Sequence, residues 1–198
     1  MGLEIEYTDR QTPLDEDEKE GLLIQTISTR GELDEFEQQN IEKAVEWTLK
    51  NKFRKEEIFT EQFVRKLHQK MYGDVWKWAS EFRRTEKSIG VDPNYIGVRL
   101  KQLNDDCMHW IDNRTYPEDE IAIRFKYELV KIHCFANGNG RHSRLMADII
   151  INHVFGKPVF GWGRSHLKSQ GDERNNYLQA LREADKNNIQ PLMEFAKK

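Results

Sequence analysis

The run His133-Cys134-Phe135-Ala136-Asn137-Gly138-Asn139-Gly140-Arg141-His142-Ser143-Arg144 gathers residue types that handle phosphate. Glycines at 138 and 140 open backbone angles closed to other residues, so a tight turn is expected there. A turn of that kind at a helix start points several unpaired N–H groups at one spot. The helix dipole behind them completes an anion site. Arg141 and Arg144 are three apart, a spacing that puts two guanidinium forks on one helix face. His133 stands at the rim, where an imidazole that titrates near neutrality can take a proton from an incoming hydroxyl. Cradle, arginines and base together point to phosphoryl or nucleotidyl transfer. Phe135 reads as core, anchoring the loop. The bland alternatives are a structural histidine, a turn asparagine at 139 and two arginines on a solvated face. Surface ion pairs contribute only roughly 0–1 kcal/mol, so stability gives weak reason for the arginines.

Two helices must hold this run. Ile121, Phe125, Leu129 and Ile132 recur at helical spacing and lead into His133. Leu145, Ile149, Asn152 and Val154-Phe155 continue a second stripe leaving from about Arg141, stopped by Gly156 and Pro158. Upstream, Thr29 and Glu32 make a capping box for a helix over roughly 30–50, with Leu33, Phe36, Asn40-Ile41, Ala44, Val45 and Leu49 as its inner face. Thr60 caps the next helix, Phe59 and Val64 are placed as a hydrophobic staple, and Phe63, Leu67 and Met71 form its stripe. Residues 82–97 lack such a stripe and, on residue types alone, read as a surface loop. Val98, Leu103, Cys107 and Trp110-Ile111 mark another helix, and Thr115 to Glu118 a second capping box opening the helix that delivers His133. Asp172 caps a helix through Tyr177, Leu178, Leu181 and Ala184, and Pro191 opens a short last one. Residues 1–27 read as an irregular arm, expected to pack on the domain.

At 198 residues the chain is long enough to bury a substantial core. Five tryptophans and ten phenylalanines argue against disorder. A net charge of −3 gives no reason to expect direct nucleic-acid binding, which calls for a basic stripe. Cys107 and Cys134, far apart, suit a reducing compartment better than a disulfide framework. No signal-peptide pattern opens the chain and no apolar run reaches bilayer length, so a cytoplasmic protein without membrane contact is expected. His68, His109, His142, His153 and His166 show no metal-ligand spacing.

The pattern His-x-Phe-x-x-Gly-Asn-Gly-Arg-x-x-Arg, from His133 to Arg144, resembles the signature of the Fic (Fido) family. The resemblance extends to Leu67-His68, to Val75-Trp76-Lys77-Trp78-Ala79 and to Phe82-Arg83-Arg84, and the whole chain is similar to a subgroup called mobile mystery protein B. It implies an all-α Fic-fold helical bundle with a small β-hairpin flap, divided into an N-terminal arm and helix over 1–54 and a Fic domain over 55–198. It implies AMP transfer from ATP to a Ser, Thr or Tyr hydroxyl of a protein, with His133 as base. Gly138, Asn139, Gly140, Arg141 and Arg144 would bind the phosphates, and Mg²⁺ or Mn²⁺ would accompany them. An unknown protein target would engage the flap, 82–97, and a helix-turn-helix partner is implied as well. Asn137 departs from the pattern: AMP-transferring members carry Asp or Glu there as the metal ligand. The Asn137 amide oxygen can still ligate Mg²⁺, but weakly, because it is neutral and Mg²⁺ sites normally lean on one or two carboxylates. The alternative is therefore a catalytically impaired, nucleotide-binding regulatory protein. A kinase that binds ATP reversed ranks lower, because the kinase variant has Lys where this chain has Gly140. Ser28-x-x-x-Glu32 matches in part the family's inhibitory motif, whose glutamate pairs with the second arginine, here Arg144. The capping box explains Glu32 equally well.

Overall fold

The computed structural model describes residues 15–163 and 170–198. It is a helical bundle. In chain order the helices are α1 (Glu16–Lys19), α2 (Arg30–Lys50), α3 (Lys55–Ile58), α4 (Glu61–Tyr72), α5 (Ile96–Asp112), α6 (Glu118–Ile132), α7 (Asn139–Ile149), α8 (Gln170–Asp185) and α9 (Gln190–Lys197). A short 3₁₀ turn, Pro93–Tyr95, precedes α5, and a π-helical turn, Ile150–Val154, extends α7. α6 lies at the centre, packed by α5 on one side and α7 on the other, with α9 against it; α2 packs on α4. The α6 residues Ile121, Phe125, Leu129 and Ile132 are all buried, as their spacing requires.

Two starts form as read. Thr29 accepts from the Glu32 amide while the Glu32 carboxylate returns to the cap backbone, and Thr60 accepts from the Phe63 amide at 3.1 Å. A third does not. Pro117, not Thr115, caps α6, without any side-chain bond. Its φ is already set for a helix start, and three acidic residues, Glu118, Asp119 and Glu120, face the dipole.

The inner face of α2 also differs from the expected one. Phe36, Val45 and Leu49 are exposed, and the buried positions are Leu33, Glu37, Asn40, Ala44 and Thr48. Glu37 takes an inner position because it has two partners there, Arg141 and Trp76.

The flap is not a β-hairpin. Among the described residues the β-pairing is one isolated bridge, Leu22 with Trp76. The two ends of the flap bond to the backbone beside His133 instead of to each other. Arg83 N–H donates to Cys134 C=O at 2.9 Å and Val91 N–H to Ile132 C=O at 3.3 Å. The Arg83 guanidinium then spans the gap, donating to the carbonyls of His133, Thr85 and Val91. One buried side chain does the work of a ladder.

The arm reaches the same place. Leu23 N–H donates to Val75 C=O and Lys77 N–H to Gly21 C=O, and Lys87 of the flap pairs with Asp15 and Glu18. The proposed cap Asp172 has its side chain outside the described residues.

Candidate active site

α6 ends on His133, whose backbone is left-handed (φ 55°), and its N–H closes the helix on Leu129 C=O. The chain then turns through residues 134–138 and re-enters a helix at Asn139. Gly138 is left-handed too (φ 78°), and a Cβ there would lie 2.5 Å from the Tyr72 ring. Only glycine fits. Gly140 is different: it is an ordinary helical residue, and a Cβ on it would meet nothing within 4 Å. The space in front of it is open. The first helical bond of α7 is His142 N–H to Gly138 C=O, and no side chain caps the helix. The amides of Asn139, Gly140 and Arg141 therefore have no helical or side-chain acceptor, and the dipole stands behind them.

The loop is braced from inside. Asn139 accepts from Phe135 N–H at 2.9 Å and donates to Phe135 C=O at 2.7 Å. Its amide shapes the turn, where the family resemblance gave it to a phosphate oxygen. His68, on α4, stacks on Phe135 with ring centroids 3.7 Å apart. Its Nδ1 accepts from Ser80 N–H and its Nε2 faces Asn137 C=O at 3.1 Å. A ring that accepts at one nitrogen and donates at the other is neutral, and burial holds its pKa well below the ordinary histidine value. His142 is likewise internal, bonded to Val64 C=O at 3.0 Å, with burial lowering its pKa to about 4.

His133 contrasts with both. The residue is 4% exposed, yet neither Nδ1 nor Nε2 makes a hydrogen bond. Burial, then the charges of Arg83 and Lys87, lower its pKa to about 4, with the nearby Val130 carbonyl opposing the shift. It is neutral at pH 7. The flap covers it: a Cβ on Gly90 (φ 115°) would fall 2.8 Å from His133 Cβ. Buried, unpartnered polar atoms in a core are rare, and two on one ring beside a cap-free helix start are what an unused base looks like.

The two arginines part company. Arg141 pairs with Glu37 at 2.5 Å, and Glu37, 1% exposed, also accepts from Trp76 Nε1 at 2.8 Å. Burial works against the Arg141 charge, while Tyr72 and Glu37 more than restore it. Arg144 lies on the Tyr177 ring, 4.4 Å from its centroid, and its buried Nε has no partner. Glu32 serves as a cap in this structure: its carboxylate accepts from Ser28 and Thr29, and among the described residues it makes no contact with Arg144. Glu37 and His68 are the site residues that spacing alone did not mark. Glu37 gave no signal beyond being a charge on the inner side of an amphipathic pattern.

A protein-held divalent ion fits this site poorly. Asn137 Oδ1 accepts from Gly138 N–H at 2.6 Å. Among the described residues no group of three His, Cys, Asp or Glu side chains is placed to hold a metal. Hard cations take charged oxygens, and here one neutral, already bonded oxygen is on offer.

Residues 58–151 match the Fic/DOC family. A protein adenylyltransferase Fic from Drosophila grimshawi is 30% identical over 139 residues, covering 67% of this chain and 26% of that protein. In three dimensions the chain is similar to the BepC protein of Bartonella tribocorum with bound AMPPNP (TM-score 0.69, 17% identity, 92% of this chain and 97% of that one). It is also similar to residues 134–508 of Fic-1 from C. elegans (TM-score 0.67, 23% identity, 90% and 51%). The chain belongs to the Fic/DOC family. It spans about a quarter of the length of the curated relatives it matches.

Proposed function

We propose that this chain is a protein adenylyltransferase, moving AMP from ATP to a Ser, Thr or Tyr hydroxyl of a protein target. The observation that carries the reading is the pairing of a buried, neutral His133 with no hydrogen-bond partner and an uncapped α7 N-terminus that opens on empty space beyond Gly140. Relatives named adenylyltransferase and a neighbour with bound AMPPNP support the nucleotide and the reaction.

In the proposed step the target hydroxyl loses its proton to a His133 ring nitrogen as its oxygen bonds to the α-phosphorus. The bond from that phosphorus to the β-bridging oxygen breaks, and pyrophosphate leaves in line. The amides at the start of α7 hold the charge that builds on the α-phosphate oxygens, the preorganised electrostatic stabilisation that dominates such reactions. Arg144 faces the distal phosphates. Arg141, tied to Glu37, fixes the first turn of α7 and adds its positive charge from the side. The flap must lift from His133 for a target to enter, and an unknown protein segment replacing its contacts is the partner this implies.

ATP labelled at the α- or the γ-phosphate tests this. Transfer of α-label and not γ-label, lost by at least a hundredfold in His133→Ala, is expected, since a positioned base is worth about 10²–10⁴ in rate. Transfer of γ-label, or equal transfer by His133→Ala, overturns it. A second reading, a nucleotide-binding protein with impaired catalysis, is favoured by the neutral, internally bonded Asn137. ATP binding without any transfer to a protein would select it.

A further inference from the structure

Lys126 is fully buried at the centre of α6, seven residues before His133. No carboxylate meets it among the described residues. Its ammonium donates to the Tyr177 hydroxyl and lies 4.3 Å from the centre of the same ring. The Arg144 guanidinium rests on that ring as well, and the Trp162 ring stands 6.0 Å away from it.

Two cations thus share one tyrosine without an anion between them. Arg144 Nε is sealed from water with no partner. Burial, followed by the Arg144 charge, presses the Lys126 pKa well below the ordinary lysine value. A methionine at 126 would fill the same space without the desolvation cost of an ammonium. Packing therefore gives no reason for a lysine here. The chemistry missing from the cluster is an anion at Arg144, whose side chain is only partly buried.

We infer that Lys126 is a positioning residue: by gripping the Tyr177 hydroxyl it sets the ring on which Arg144 lies, and so fixes the Arg144 fork for the terminal phosphate of the nucleotide. Tyr177 comes from α8, outside the segment that matches the family, so the device is formed between the matched domain and the C-terminal helices of this chain. Lys126 does not touch the nucleotide; it acts through the ring. The inference rests on the nucleotide reading above and deepens it, by making recognition of the triphosphate's far end depend on α8.

Calorimetric titration of ATP and AMP into wild type, Lys126→Met and Tyr177→Phe tests it. Lys126→Met loses the hydrogen bond to Tyr177, Tyr177→Phe loses it together with the hydroxyl's interaction with Arg144, and both keep the volume. ATP affinity is expected to fall about tenfold in each, AMP affinity to stay within about twofold, and the melting temperature of free Lys126→Met to hold or rise. A purely structural lysine would lower both affinities together, or neither, and would lower the melting temperature. An unchanged ATP-to-AMP affinity ratio in the folded variants overturns the inference while leaving the nucleotide reading in place. Absence of ATP binding by wild type overturns both. Should Lys126→Met fail to fold, Tyr177→Phe alone decides by the same ratio.

Discussion

Glu37 is where residue chemistry and position meet most tightly. A carboxylate 1% exposed is tolerated only when paired, and this one has Arg141 and the Trp76 indole as partners. Removing one member of such a pair leaves the other uncompensated. Glu37→Gln is therefore expected to destabilise the fold by about 2–3 kcal/mol in urea denaturation, toward the low side for a broken buried pair because Arg141 is partly exposed. A loss below about 0.5 kcal/mol would show that the pair is no more than a surface contact. Nothing in the spacing of α2 announced this, since the partner lies 104 residues away. The motif itself was legible for a different reason: His133, Gly138 and Arg144 act through local backbone geometry, which short-range patterns encode. The bonds of Asn139 to Phe135 were not legible, because an amide between glycines has the same signature whether it holds a ligand or its own loop.

At the scale of elements, the helix–loop–helix is set by what the turn cannot accommodate. Gly138→Ala would put a methyl group against the Tyr72 ring at a left-handed φ, and is expected to cost at least about 2 kcal/mol, the strain and the clash adding. A melting temperature equal to that of wild type would contradict the packing described. The capped starts of α2 and α4 could be read from sequence because a cap and its partner sit three residues apart. The register of α2 could not, because burying Glu37 outweighs burying Phe36 or Leu49 only once Arg141 and Trp76 are in place. The flap's form was hidden for a similar reason: Arg83 replaces strand pairing through contacts with the loop after α6, and residue types show no such tertiary bond.

Across the whole molecule, three buried rings set a pH dependence. His68 is held well below the usual histidine value, and His133 and His142 at about 4. The unfolded chain binds these protons near pH 6.5, so between about 4 and 6.5 it carries more protons than the fold does, and stability rises with pH through that window. The melting temperature should climb from pH 4.5 to 6.5 and level off above; a flat or falling curve would mean the rings are not neutral and enclosed. No helix among the described residues is long and apolar enough to cross a membrane. The most direct test of the central claim, that the start of α7 grips a nucleotide's phosphates, uses the same readout on Gly140→Glu. The added carboxylate enters open space at a helix N-terminus, where it is favourable, so the free variant should melt no lower than wild type. ATP at a hundredfold its dissociation constant should stabilise wild type by about 2.7 kcal/mol and leave the variant unmoved; equal stabilisation of both proteins would contradict the account.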